Sequence, residues 1–276
     1  MPGVQFKLGI VENMPFEDYL AVPALSSSML KVISGRSPLD MQRERQLERK
    51  QSPDMVLGTL FHLLALENPP TEEFQAQFVV APKFNRRTKS GRAEAEAWEA
   101  QNTDKTVITD GQYFHAANMA NAVHESGLGR ALFAGGKPEV SVFWIDKGTG
   151  VPCKARFDWL PDGHDVIVDL KKVHSDEPGE ISRTCGKFGY HIQEAWYKRA
   201  ARAVGLPHRN FLFCFCLDKP RYTALWHYLD REEQQAGKII SKNALDTFAQ
   251  CKQNNSWPGY LAEEEPQPLT IPKYLL

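Results

Sequence analysis

The patterning of this sequence predicts an α/β fold with a mainly helical N-terminal part. Helix signals dominate residues 1–135, apolar residues alternate as in β-strands from Pro138 onward, and a helix, two strands and a long helix then follow in turn. The 276 residues fit a single domain, 1–276. Within it we distinguish the helical part (1–135), an α/β core (136–256) and an extended, proline-rich tail (257–276).

Phe16 to Leu20 has short helical character, and Leu25-Ser26-Ser27-Ser28 supplies an N-cap for a helix from about Met29. The break at Ser37-Pro38 opens another helix through the charged stretch Arg43 to Lys50. Pro53 precedes a more apolar helix, Met55 to Leu66, which Asn68-Pro69-Pro70 ends. Ala81 to Arg92 is irregular and basic. A helix rich in Ala and Glu runs to about Ala100, and Gly111 to Leu132 is predicted as one helix closed by Gly135-Gly136. Three strands follow: Glu139 to Ile145, Lys154 to Leu160 and Val166 to Lys171, with turn composition at Asp146 to Gly150. Next come a helix from Tyr190 to Val204 and strands Phe211 to Leu217 and Tyr222 to Tyr228. A helix to about Cys251 is opened by Asp230-Arg231-Glu232-Glu233, which has the form of a capping box.

Composition bounds the function. Hydrophobic residues make up 42% and charged residues 24%, as in soluble globular proteins. No run of about 18 apolar residues predicts a membrane span. Met1-Pro2-Gly3-Val4-Gln5 lacks a basic region leading into an apolar stretch, so no signal peptide and a cytoplasmic location are expected. The five cysteines (Cys153, Cys185, Cys214, Cys216, Cys251) are odd in number and without a regular framework, which argues against a disulfide scaffold. Cys214 and Cys216 alternate with Phe213 and Phe215 and are expected to be buried as small hydrophobes. A net charge of −1 argues against a general nucleic-acid coating protein; contact with a polyanion must come from local patches.

The chemistry concentrates in the second and third strands. Asp162-Gly163 signals a two-residue hairpin with a type I′ turn. That centre sets Asp158 opposite Ile167 and Arg156 opposite Asp169, so Asp158, Asp169 and Lys171 project from one face. Asp158 and Asp169 become diagonal neighbours, roughly 7–8 Å apart between backbones, within reach of a shared metal ion. Val166, Val168 and Leu170 take the other face. Two carboxylates so placed suit Mg²⁺, a hard cation that lowers the pKa of bound water and neutralises charge on a phosphate. The Leu170 backbone carbonyl completes the coordination, and a lysine beside the ion stabilises the pentacoordinate state. Taken alone, Asp-x-Lys on a strand is more often a solvated face.

The combination is more specific. Phe157-Asp158-Trp159 followed by Ile167-Val168-Asp169-Leu170-Lys171-Lys172 resembles the core of the PD-(D/E)XK nucleases. It departs from the pattern in having Asp169 where Glu is common and no proline before Asp158. Gln193-x-x-x-Tyr197, with Tyr190 one turn earlier, is similar to the Gln-xxx-Tyr motif of RecB-like and lambda-exonuclease-like nucleases, whose side chains approach DNA. Gly58-Thr59-Leu60-Phe61-His62 resembles their Gly-xxx-His helix, and Glu139 the acid of their first strand. The whole arrangement is most similar to RecE-like (exonuclease VIII) nuclease domains. That likeness includes Leu25 to Ser28, Trp257 to Tyr260 and Ile271-Pro272.

The resemblance implies a central mixed sheet flanked by helices. It implies a Mg²⁺-dependent exonuclease, with Mn²⁺ as an alternative ion, acting 5′→3′ on linear double-stranded DNA ends and leaving 3′ overhangs for recombination. It further implies a ring-shaped homo-oligomer and a RecT-like single-strand-annealing partner. Asp158 and Asp169 would bind metal with His62, the Leu170 carbonyl and Glu139. Lys171 would assist the chemistry, and Gln193, Tyr197 and Tyr190 would orient the substrate strand. Some relatives carry an iron–sulfur cluster on four cysteines; none is expected here, because no cysteine precedes Cys153. The basic loop, with Arg86, Arg87 and Lys89, is a candidate contact to DNA phosphates. A structure-specific or restriction-type endonuclease on the same fold and a non-catalytic DNA-binding or assembly module are the rival readings.

Overall fold

The computed structural model describes residues 7–47, 52–260 and 270–271. The chain opens with β1 (Gly9–Val11), α1 (Phe16–Ala21), α2 (Ser27–Gly35), α3 (Pro38–Gln46) and α4 (Pro53–His62), which passes into a π-helical turn at Leu63–Glu67. Next come α5 (Thr71–Gln77), β2 (Phe78–Val80), α6 (Lys89–Ala100), β3 (Thr106–Ile108), α7 (Asp110–Glu125) and α8 (Gly127–Leu132). The second half holds β4 (Gly136–Ile145), β5 (Pro152–Pro161), β6 (Val166–Val173), α9 (Pro178–Lys187), α10 (Tyr190–Ala203), β7 (Asn210–Leu217), β8 (Ala224–His227) and α11 (Arg231–Asn254). The helix starts are written in the sequence: Ser37 and Ser52 cap α3 and α4 ahead of prolines, and Asp230 accepts the amides of Glu232 and Glu233.

A six-stranded sheet in the order β1-β4-β5-β6-β7-β8 forms the centre. Its strands are antiparallel except β6 and β7, which run parallel, with α9 and α10 as the crossover between them. On one face, residues of α2, α10 and α11 (Leu30, Trp196, Leu245) pack on Val142, Phe157, Ile167 and Phe213. On the other, residues of α4 and α7 (Leu60, Phe61, Met119) pack on Val168, Leu170, Cys214 and Cys216. The two cysteines are buried, as their period-2 spacing predicts. This is the mixed α/β sheet flanked by helices that the sequence implies. No helix among the described residues is long and apolar enough to cross a membrane.

The structure corrects several local expectations. The predicted helix Gly111 to Leu132 is two helices, because Ser126 is extended (ψ 154°) and caps α8 through Gly129 N. The three-residue strands β1, β2 and β3 are too short to leave a periodic signal, and α9 begins at an unusual cap, Glu177. The predicted passage of a helix through Lys50 falls partly outside the described residues; its described portion ends at Gln46. Pro272 also lies outside them.

The hairpin register differs by two residues. Trp159 lies opposite Val168, where the sequence reading put it opposite Val166. A type I′ turn needs positive φ at both central residues, but only Gly163 has it (φ +72°), and the connection spreads over residues 162–165. A slip of two leaves the facing of β6 unchanged, with Val166, Val168 and Leu170 in the α4–α7 core, where a slip of one would reverse it. Within β5, Phe157 and Trp159 pack on opposite faces of the sheet.

Gly237 in α11 sits against the backbone of α10, where an added Cβ would fall well inside contact with the His191 carbonyl. A mid-helix Gly→Ala change ordinarily stabilises by about 1 kcal/mol. Here Gly237→Ala is expected to destabilise by about 1–3 kcal/mol, because the two helices must part. Denaturant unfolding measures the sign; a stabilised variant would refute the close packing.

Candidate active site

Three neighbouring strands set three acids side by side. Pro138 pairs with Trp159 and Val140 with Phe157, so Glu139 falls level with Asp158. The Trp159–Val168 pair sets Asp158 level with Asp169 in turn. The ladder is interrupted along this row. Glu139 adopts a left-handed backbone (φ +49°) in mid-strand, a conformation that costs a non-glycine residue of order 1–3 kcal/mol. Between β5 and β6 the Leu170 amide donates to the Asp158 carboxylate at 2.8 Å. A side chain thus stands in for a strand, and the sheet opens around the acids.

Each acid has its own partners. Glu139 accepts from Arg156 Nε at 2.5 Å, while Arg156 Nη1 donates to Met14 O and Ser141 Oγ. Asp169 is fully buried; Oδ1 accepts from Gln193 Nε2 at 2.6 Å and Oδ2 pairs with Lys171. Lys31, from α2, donates to Gln193 Oε1 at 2.9 Å. The Lys171 and Lys31 ammoniums lie 5.2 and 5.3 Å from the centre of the Tyr190 ring. At the end of α4, His62 Nε2 donates to Leu170 O at 3.1 Å, which turns Nδ1 toward Asp158 Oδ2 (3.8 Å) and Glu139 Oε1 (3.9 Å).

Burial and crowding shape the charges. Burial, then the charge of Asp169, pushes the Asp158 carboxyl up to about 7. Burial opposes the His62 imidazolium, but Asp158 and Glu139 outweigh it and leave the pKa raised. For Glu139, burial is outweighed by His62 and Arg156, and its pKa is lowered. Lys171 is held above the usual lysine range by Asp169 and Asp158 against burial. Burial and the charge of Lys171 bring Lys31 down to about 7.

The donors fit a divalent ion. Two ligands each about 2.1 Å from one ion stand at most about 4.2 Å apart, and the His62 nitrogen meets that limit with both carboxylates. Among the described residues, His62, Glu139 and Asp158 form one of two three-donor groups. Two carboxylate oxygens suit hard cations such as Mg²⁺ and Mn²⁺, and the imidazole nitrogen extends the range to Fe²⁺ and Zn²⁺.

The other expected residues take different parts. The Leu170 carbonyl, expected as a ligand, accepts from His62 Nε2 and from Lys171 Nζ at 3.3 Å. Asp169 stands outside the three-donor group, held by Gln193 and Lys171. Tyr197 is buried against Phe157 and Phe211, with ring centres 5.4 and 6.1 Å away. Tyr190 is buried at 9% exposure and stacks on Phe213 and Phe188. Arg86 pairs with Glu99 at the surface, Arg87 and Lys89 are exposed, and none of the three pairs with the acidic row. Sequence reasoning missed Lys31 and the role of Arg156. The one available signal for Lys31 was a charge between Leu30 and Val32 in an amphipathic helix.

A family model described as a PDDEXK-like domain of unknown function (DUF3799) matches residues 26–265. Among solved structures, a candidate exonuclease from Eubacterium rectale is similar over 94% of this chain and 97% of its own, at 12% identity and a TM-score of 0.60. That likeness is one of fold. A phage-related exonuclease from Haemophilus somnus 129PT aligns over 84% of this chain and 96% of its own, at 13% identity and a TM-score of 0.34. No curated protein sequence matches.

The raised Asp158 and His62 values give metal binding a pH dependence. An acid with a raised pKa is neutral below that value, and an imidazolium has no lone pair to offer, so both must lose protons for a metal to bind. Apparent Mg²⁺ or Mn²⁺ affinity is expected to rise with pH and to weaken about tenfold or more per unit below pH 7. Calorimetric titration at pH 6, 7 and 8 measures it, and equal affinity across that range would remove Asp158 and His62 from the ligand set.

Proposed function

This chain belongs to the PDDEXK-like family DUF3799, and from that premise we propose that it is a metal-dependent nuclease hydrolysing DNA phosphodiesters at the row Glu139, Asp158, Asp169 and Lys171. The observation that carries the reading is the convergence of that row with His62. A motif spread over four elements meets at one break in the sheet, where three donors are spaced for one ion.

A divalent ion held by His62, Glu139 and Asp158 would supply a bound water of lowered pKa and offset charge on the phosphate. The remaining work falls to side chains. Lys171, kept protonated by Asp169 and Asp158, offers N–H donors to an anionic phosphate oxygen as charge builds there. Asp169 fixes that ammonium, and Gln193 fixes Asp169. His62 and then Arg156 keep Glu139 ionised at the edge of the row.

The finer reading follows the RecE-like resemblance. The substrate is linear double-stranded DNA, entered at an end and degraded 5′→3′ with Mg²⁺ to leave 3′ overhangs for recombination. A ring-shaped homo-oligomer and a RecT-like annealing partner complete it, within the cytoplasm.

Linear duplex labelled at either end and a covalently closed circle, each incubated with Mg²⁺ or with EDTA, test both levels. Early release of the 5′ label, sparing of the circle and loss with EDTA are expected. Lys171→Ala should slow cleavage by about 10²–10³-fold. Cutting of the circle would replace the exonuclease with an endonuclease, and cleavage of neither substrate would end the nuclease reading.

A further inference from the structure

Lys31 belongs to none of the motifs, yet it completes the acidic row from behind. Its Nζ donates to Gln193 Oε1 at 2.9 Å, Gln193 Nε2 donates to Asp169 Oδ1 at 2.6 Å, and Asp169 Oδ2 pairs with Lys171. The line Lys31, Gln193, Asp169, Lys171 begins and ends in an ammonium, and both ammoniums lie over the Tyr190 ring. Local packing makes space for the lysine stem. Gly189, at the start of α10 with φ +61°, would as any larger residue carry a Cβ 3.3 Å from Lys31 Cγ and 3.2 Å from Ile192 Cδ1.

A primary amide offers two donors at one end and an acceptor at the other, and a half-turn exchanges them. An ionised carboxylate only accepts, so Gln193 must turn its nitrogen toward Asp169. In its protonated form Lys31 only donates, so at the opposite end it admits that orientation alone. We infer that Lys31 is a positioning residue: it locks the Gln193 amide and, through it, the seat of Asp169 and Lys171. The consequence for cleavage rests on the nuclease reading above. The competing account, direct contact of Lys31 with a DNA phosphate, predicts a different pattern of loss.

Kinetics on linear duplex separate the two. Lys31→Met should lower kcat by about tenfold or more, with KM for DNA moving less than about twofold. Lys31→Arg, which also only donates, should restore most of the rate. In a Gln193→Ala background, Lys31→Met should have no further effect, because the relay is already cut. A raised KM at unchanged kcat, or losses that multiply in the double variant, overturns the inference in favour of substrate contact.

A second readout needs no cleavage. In the metal-free protein, the ¹⁵N-labelled side-chain amide of Gln193 should give a resolved proton pair slow to exchange, lost in Lys31→Met and kept in Lys31→Arg. An unchanged pair in Lys31→Met overturns the relay. If Lys31→Met does not fold, Lys31→Gln serves, since its amide accepts as well as donates and should loosen the pair. Should the wild type cleave nothing while the amide pair responds, the relay stands and the nuclease reading falls.

Discussion

Three carboxylates side by side inside a sheet are the constraint around which this structure is arranged. Taking an ion out of water costs several kcal/mol, and like charges in a poorly screened interior raise that cost. Each acid is met by its own set of groups. Arg156 comes from the neighbouring strand to Glu139, Lys171 and Gln193 flank Asp169, and the Leu170 amide and His62 face Asp158. The compensation is uneven. Glu139 stays ionised well below neutrality, whereas Asp158 holds its proton up to about 7. The residue left short of positive charge faces His62 Nδ1, and that is where a divalent ion fits.

The backbone yields to the same requirement. A regular β4–β5–β6 ladder would leave the Leu170 amide to a strand carbonyl and Glu139 in an extended conformation. Instead the Asp158 carboxylate takes the amide and Glu139 turns left-handed. Strain of this kind persists only where the surroundings hold it. Here Trp159 anchors the next position by donating from Nε1 to Leu132 O, and Phe157 on the other side is fully buried.

The acidic row was legible in the sequence because it survives the error of register. A slip of two leaves Asp158 beside Asp169, level with it in the structure and diagonal to it under the predicted turn, although Phe157 and Trp159 on either side of Asp158 pack on opposite faces of the sheet. His62 and Gln193 were legible only through resemblance, since no local pattern says that the end of α4 or the first turn of α10 meets β6. The charge at Lys31 between two apolar residues was too weak a signal: the contact that defines it spans 162 residues, and a lysine in an amphipathic helix is ordinarily solvated. The three-residue strands escaped for want of length, and no local pattern marks the left-handed backbone of Glu139.

The second three-donor group, Asp54, His174 and Asp218, tests what separates a metal site from a structural cluster. It has the same donor types, but Lys172 Nζ already lies 2.6 Å from Asp54 and 3.3 Å from Asp218, so a cation is built in. Consecutive strand residues point to opposite faces; Lys171 therefore serves the acidic row while Lys172 serves this cluster. The consequence lies in α4. Asp54 near its start is tied to β6 through Lys172, and His62 at its end is tied to β6 through the Leu170 carbonyl. A helix held at both ends against one strand cannot slide or roll freely. That restraint keeps His62 Nδ1 aimed at the two carboxylates when no ion is there to hold it.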